Sequence, residues 1–139
     1  MIRFFSESRF HYPEKRKTKA WFKALAQQHH TEAGDINFIF VDDGYLLEIN
    51  QNFLNHDGYT DIITFDYRDQ NILNSDIYIS IERITDNAKS LNVDFLNELH
   101  RVMAHGVLHL IGFKDKSPSE KLEMRAQEEK ALILKQKFF

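Results

Sequence analysis

The residues best able to do chemistry lie in one stretch, His105-Gly106-Val107-Leu108-His109-Leu110-Ile111-Gly112-Phe113-Lys114-Asp115. The apolar spacing around it predicts a long helix over 94–111. On that helix His105 and His109 stand four apart, so their imidazoles share one face about one turn apart. Gly112, seven residues after the first histidine, suits a left-handed C-terminal turn. Such a turn lets the chain double back and carries Asp115 toward the two rings. Two neutral imidazoles and a carboxylate fill three corners of a zinc tetrahedron and leave the fourth open, which separates a catalytic metal site from a structural one. A His-x3-His pair alone is a weak signal, because two ordinary partly buried histidines produce it too. The helix-ending glycine and the ligand type ten residues after His105 make coincidence much rarer.

Metzincin proteases share this spacing, but they need Glu directly after the first histidine as general base. Here that position is Gly106, which has no side chain. The protease reading keeps the ligands and loses the chemistry.

The elements that must position these residues follow from periodicity. Met1–Phe5 reads as a strand and Glu14–His30 as a helix with Trp21, Phe22, Leu25 and His29 at near-helical spacing. Ala33-Gly34-Asp35 reads as a break, and Ile36–Val41 as a central strand apolar on both faces. Asp42-Asp43-Gly44 opens a second helix through Tyr45, Leu46, Ile49 and Phe53, and Asn55–Gly58 is turn chemistry. Asp61–Tyr67 and Asp76–Ile81 alternate as strands joined by a short polar link, consistent with a hairpin. Glu82–Leu91 reads as a short helix. Ser117, Pro118 and Glu120 mark the capped start of the last helix. The order β-α-β-α-β-β-α-α-α implies a single α+β domain over residues 1–139, with one mixed sheet of about four strands packed with helices and the metal site at the end of the long helix.

Composition sets the frame. The chain has 139 residues, 42% hydrophobic and 28% charged, which excludes an intrinsically disordered polymer. It has no cysteine, so disulfides and thiolate metal sites are excluded. Mean hydropathy is −0.48, no apolar run approaches the ~20 residues of a membrane helix, and no signal peptide is visible. A cytoplasmic domain is the expectation. Net charge is −3, yet residues 1–23 hold seven bases against two acids. That asymmetry permits a basic patch at Lys15, Arg16, Lys17, Lys19 and Lys23, although a solvated helix face has the same composition.

The histidine stretch resembles the signature of the YbeY endoribonucleases, His-Gly-x-Leu-His-Leu-x-Gly-aromatic-Asp-His, through His105, Gly106, Leu108, His109, Leu110, Gly112 and Phe113. A second family block, Asn-x-x-Tyr-Arg-x-x-Asp-x-x-Thr-Asp-Val-Leu-Ser-Phe, is similar to Asn50–Phe65, with Asn50, Asp57, Thr60, Asp61 and Phe65 in agreement. A third, Leu-Gly-Asp-Ile-x-Ile-Ser, resembles Leu73–Ser80, with one residue inserted and Ser75 in place of glycine. Two departures stand out. The family's third histidine ligand is Asp115 here, and its second-block arginine is Leu54. A carboxylate ligand makes the site one unit more negative than three histidines would.

The resemblance implies a zinc-dependent, single-strand-specific endoribonuclease that matures small-subunit (16S) ribosomal RNA and serves ribosome quality control. It implies one Zn2+ per chain on His105, His109 and Asp115, and RNA with small-subunit proteins as partners. Arg101 and His56 are the candidates to orient the scissile phosphate, with Lys114 also near the motif. The bases Lys15, Arg16, Lys17, Lys19 and Lys23 are the candidates to hold the RNA backbone. Tyr59, Tyr67 and Tyr78 are candidates to stack on bases. Two alternatives stay open: a non-catalytic ribosome-assembly factor braced by its metal, and a different metal-dependent hydrolase.

Overall fold

The computed structural model describes residues 1–54, 58 and 60–139. Its elements are β1 (Ile2–Ser6), α1 (Lys15–Gln28), β2 (Glu32–Val41), α2 (Asp43–Leu54), β3 (Ile62–Asp66), β4 (Ile72–Ser80), α3 (Ile81–Leu91), α4 (Phe95–Ile111) and α5 (Pro118–Lys135). The strands form one mixed, four-stranded sheet in the order β1-β2-β4-β3. β1 pairs with β2, and β2 with β4, in parallel; β3 and β4 form an antiparallel hairpin. This is the α+β fold that the element order implies.

Three of the departures from the periodicity have a clear local reason. The expected break at Ala33-Gly34-Asp35 lies inside β2, where the register to β4 shifts between Ala33 and Ile36. The irregularity is tied across the pair, since the Asp35 amide donates to Asn74 Oδ1 at 2.9 Å. β4 starts at Ile72, ahead of the expected Asp76. Its core-facing row includes Ser75, whose hydroxyl donates to the Phe65 carbonyl at 2.7 Å, so a polar residue occupies an apolar position without an unpaired group. Ile81 opens α3 rather than closing β4, because the Ser80 side chain caps the helix by accepting from the Arg83 amide.

One face of the sheet, with Ile36, Phe38, Phe40, Leu73, Ile77 and Ile79, packs against α1 and α4, and α5 packs on those two helices to complete the main core. The other face carries a smaller cluster of Val41, Leu46, Ile49 and Ile63 under α2. α4 is enclosed on most sides and buries Leu99, Val102, Met103, Val107 and Leu108. Its burial makes it a fixed platform for the histidines it carries. Among the described residues no helix is long and apolar enough to cross a membrane.

A buried polar chain ties α1, α4 and α5 together. Lys135 Nζ lies 2.7 Å from His100 Nδ1, and His100 Nε2 lies 2.8 Å from the Tyr12 hydroxyl. Tyr12 bonds Thr18, whose hydroxyl donates to the Glu14 carbonyl at 2.7 Å. An ammonium can only donate, so His100 Nδ1 accepts, Nε2–H donates to Tyr12, and the Tyr12 hydroxyl donates onward to Thr18. Burial, reinforced by the Lys135 charge, pushes the His100 imidazole down to about 3.

An unfolded histidine takes up its proton below about pH 6.5, whereas folded His100 stays neutral until far lower pH. Its contribution is therefore complete above about pH 6.5 and lost as pH falls, by up to about 1.4 kcal/mol per pH unit. We expect the fall in urea-unfolding stability between pH 7 and pH 5 to be up to about 2 kcal/mol smaller in His100→Gln than in the wild type. Equal falls would contradict a neutral, buried His100.

Candidate metal centre

The site is built on the last turns of α4. The His105 and His109 rings lie 4.5 Å apart between centroids, crossed nearly at right angles. Gly106 sets how closely this part of the helix approaches the sheet. A Cβ there would stand 2.9 Å from Ile62 Cδ1 and 3.4 Å from two carbons of Ile77. The position after the first histidine thus faces the sheet and not the metal ligands, which leaves no room for a protease-type glutamate.

Gly112 ends the helix at φ 128°, a conformation open to glycine. Its amide and that of Phe113 bond back to the Leu108 carbonyl at 3.1 Å each. The last carbonyls, of Leu110 and Ile111, accept from Arg68 Nη1 at 3.0 and 2.9 Å, so a cation from the β3–β4 hairpin complements the negative helix end. A few residues on, Ser117 and Glu120 form a reciprocal capping box that starts α5. Asp115 is held between these two anchored points.

The result is a triangle of donor atoms. Asp115 Oδ2 lies 3.2 Å from His105 Nε2 and 3.3 Å from His109 Nε2, and the two Nε2 atoms are 3.0 Å apart. Tetrahedral ligation at 2.0–2.2 Å requires ligand atoms about 3.3 Å apart, so three corners are in place. The tautomer agrees. His105 Nδ1 lies 2.7 Å from Glu128 Oε2, and an ionised carboxylate can only accept. The proton therefore sits on Nδ1, and Nε2 turns a lone pair toward Asp115 and His109. A carboxylate behind a ligating imidazole, which fixes its tautomer and raises its basicity, is the usual support of a metal site. The donor set fits a divalent metal ion.

Glu128 is itself held in place. Its other oxygen accepts from Arg101 Nη1 at 2.9 Å, and Arg101 Nε and Nη2 reach Glu98 at 2.8 and 2.6 Å. Both carboxylates are almost wholly buried. Burial pushes the Glu128 carboxyl up, but hydrogen bonds from His105 and Arg101 outweigh it and hold the group below the usual carboxylate range. The bonds to Glu98 push the Arg101 guanidinium upward, so it stays charged.

The triangle borders two recesses. The larger, about 680 Å³, is walled by Asn50, Leu54, Thr60, Asp61, Thr64 and Asp66 together with the three ligands. The smaller, about 280 Å³, approaches His105 and Asp115 from the α5 side. Arg101 lies in the smaller one, with its guanidinium shared between Glu98 and Glu128. His56 and Tyr59 lie outside the described residues. Lys15, Arg16, Lys17 and Lys23 are exposed on α1 and Lys19 is half-buried; none of the five lines either recess. Lys114 is exposed and likewise lines neither. Tyr67 is exposed, and Tyr78 packs its ring against Phe65 and Tyr45.

Nothing in the local spacing singles out Glu128. The signal lies in α5 as a whole, where Met124, Glu128 and Ala131 recur at core-facing intervals, so an acid sits in an apolar stripe and must have a buried partner.

Residues 5–136 match the family model described as Endoribonuclease YbeY. A protein of that name from Flavobacterium psychrophilum is 48% identical over 134 residues, which is 96% of each chain. One from Bacteroides fragilis is 45% identical over 122 residues, 88% of each chain. A solution structure of a Thermotoga maritima protein superposes with a TM-score of 0.72 at 26% identity, covering 97% of this chain and 89% of that one.

Removing the charge behind His105 tests the support of the site. We expect Glu128→Gln to weaken Zn2+ affinity, read by chelator competition, by about 10- to 100-fold while the fold persists. Unchanged affinity in a folded variant would show that the Glu128 charge does not support the site.

Proposed function

This chain belongs to the YbeY family, and on that premise we propose that it is a zinc-dependent endoribonuclease specific for single strands, acting in 3′-end maturation of 16S ribosomal RNA and in ribosome quality control. The observation that carries this reading is the triangle of His105, His109 and Asp115, set in the wall of a recess open to a polymer. Zinc suits the donors, because two of the three are imidazole nitrogens, borderline ligands that oxygen-seeking Mg2+ and Ca2+ do not prefer, and zinc also takes a carboxylate oxygen. Held by His105, His109 and Asp115, such an ion would supply Lewis-acid polarisation of a phosphoryl oxygen and would acidify water.

The chain's own residues do the positioning. Glu128 keeps the His105 proton on Nδ1 and so keeps its Nε2 available. Arg101 acts through Glu128 as a positioning residue, since its guanidinium is spread over two carboxylates. Asn50 fixes the recess wall by donating to the Gly58 carbonyl at 2.7 Å. His56 is the candidate to orient the scissile phosphate. Lys15, Arg16, Lys17, Lys19 and Lys23 draw in the strand from a distance, an attraction that salt screens. Proteins of the small ribosomal subunit are the proposed macromolecular partners, in the cytoplasm.

A second reading is favoured by one observation. Leu54 lines the larger recess where the family motif carries arginine, and no described lining residue there is a lysine or arginine. That leaves room for a metal-braced assembly factor that binds without cutting.

Cleavage of a generic single-stranded RNA separates the two. The Lewis acid is worth several kcal/mol, so we expect chelation, or His105→Ala, to lower the cleavage rate by at least about 10²-fold, with casein untouched throughout. Persistence of cleavage after both treatments would identify a contaminating nuclease and leave the binding reading. We further expect His56→Ala to retain zinc and lose about 10²- to 10³-fold in rate; an unchanged rate would remove His56 from the mechanism.

A further inference from the structure

The two recesses that meet at the triangle differ in charge. The larger carries Asp61 and Asp66 in addition to the ligand Asp115, and no lysine or arginine among its described lining residues. The smaller is lined by Lys121 and Arg125 of α5, above Met124, Arg101 and Glu128. An RNA strand must bring one phosphate to the metal and carry its neighbours away on either side. Among the described lining residues, only the α5 side offers them lysine or arginine.

We infer that the groove between α5 and the His105–Asp115 edge is a phosphate subsite, in which Lys121 and Arg125 hold the backbone phosphate next to the scissile one. The inference rests on the endoribonuclease reading above. It also supplies, from a different element, the phosphate contact that Leu54 cannot make.

The two side chains are four apart on one face of α5, so both heads can reach one anionic segment. Both residues are exposed, and the Arg125 side chain keeps 55% of its accessible surface. Arg125 is only loosely engaged: its single ion pair among the described residues is with Glu128 Oε1 at 3.5 Å. That same oxygen accepts from Arg101 at 2.9 Å, so Glu128 does not depend on Arg125 for its partner. The guanidinium fork stays available for a phosphate, which it can grip with two parallel bonds. Lys121 has no ion pair among the described residues. Met124, buried between them, anchors this turn of α5 to the core and keeps the pair at the edge of the metal site.

The test uses the zinc-loaded full chain and a short fluorescein-labelled 2′-O-methyl RNA strand, with affinity read by anisotropy from ~50 to ~200 mM salt. Each phosphate contact on a single strand contributes about 0.7 to the slope of log K against log salt. The variant Lys121→Gln/Arg125→Gln should flatten that slope by about 1.4 if each cation neutralises one phosphate, or by about 0.7 if the two share one. Lys130→Gln/Lys137→Gln removes the same charge outside both recesses and should leave the slope as in the wild type. Glutamine is nearly as good a helix former as lysine and arginine, so α5 should persist.

A slope in the Lys121/Arg125 variant equal to that of the wild type overturns the subsite. So does an equal effect from the Lys130/Lys137 pair, or loss of zinc from the Lys121/Arg125 variant. Failure of the wild type to bind the strand is a distinct result, which overturns the endoribonuclease reading and the subsite with it.

Discussion

Three electron-rich atoms, His105 Nε2, His109 Nε2 and Asp115 Oδ2, are brought within 3.3 Å of one another. Without a cation between them, such a group is electrostatically unfavourable, and a chain that builds it must hold it from outside. The surrounding structure does so from three directions. α4 is packed into the core with Gly106 against the sheet, so the two histidines cannot move apart. The Gly112 turn and the Ser117 capping box fix the short segment bearing Asp115. Glu128, clamped by Arg101, holds the His105 ring proton on Nδ1, outside the triangle. Each support is paid for by burial or by hydrogen bonds remote from the ligands.

The charge balance follows from the same arrangement. Glu98, Arg101 and Glu128 form a buried chain with an excess negative charge, which is directed toward His105. Breaking such a chain by removing one partner is costly, because the charge left behind is uncompensated. Asp115 adds a further negative charge on the metal side, where the family motif has a neutral imidazole. A cation held there would be attracted more strongly than by three histidines, and water beside it would be less strongly acidified.

What could be read in the sequence was what is local. The four-residue spacing of His105 and His109, the glycine at 112 and the Ser117–Pro118–Glu120 start of α5 each follow from helix geometry, and the element order follows from alternating periodicities. Long-range relations were opaque. Glu128 lies 23 residues from the histidine it supports, and only the packing of α5 on α4 brings them together. Arg101 has a spacing that suits the metal face, but Glu98, one turn earlier, and Glu128 share its guanidinium. The bases of α1 form a conspicuous run in the chain, yet that helix lines neither recess, whereas Lys121 and Arg125 are unremarkable in sequence and stand beside the ligands. In β4, a buried serine that bonds a neighbouring strand's carbonyl concealed the true start of the strand.

The most direct test of this account is metal content by plasma mass spectrometry on tag-free protein, comparing the wild type with His109→Ala and Asp115→Ala. The account predicts about one zinc per wild-type chain, lost from both variants while their fold is kept. Zinc retained by folded Asp115→Ala would show that the third ligand lies elsewhere. No metal in the wild type, even after zinc is added back, would contradict the metal centre itself.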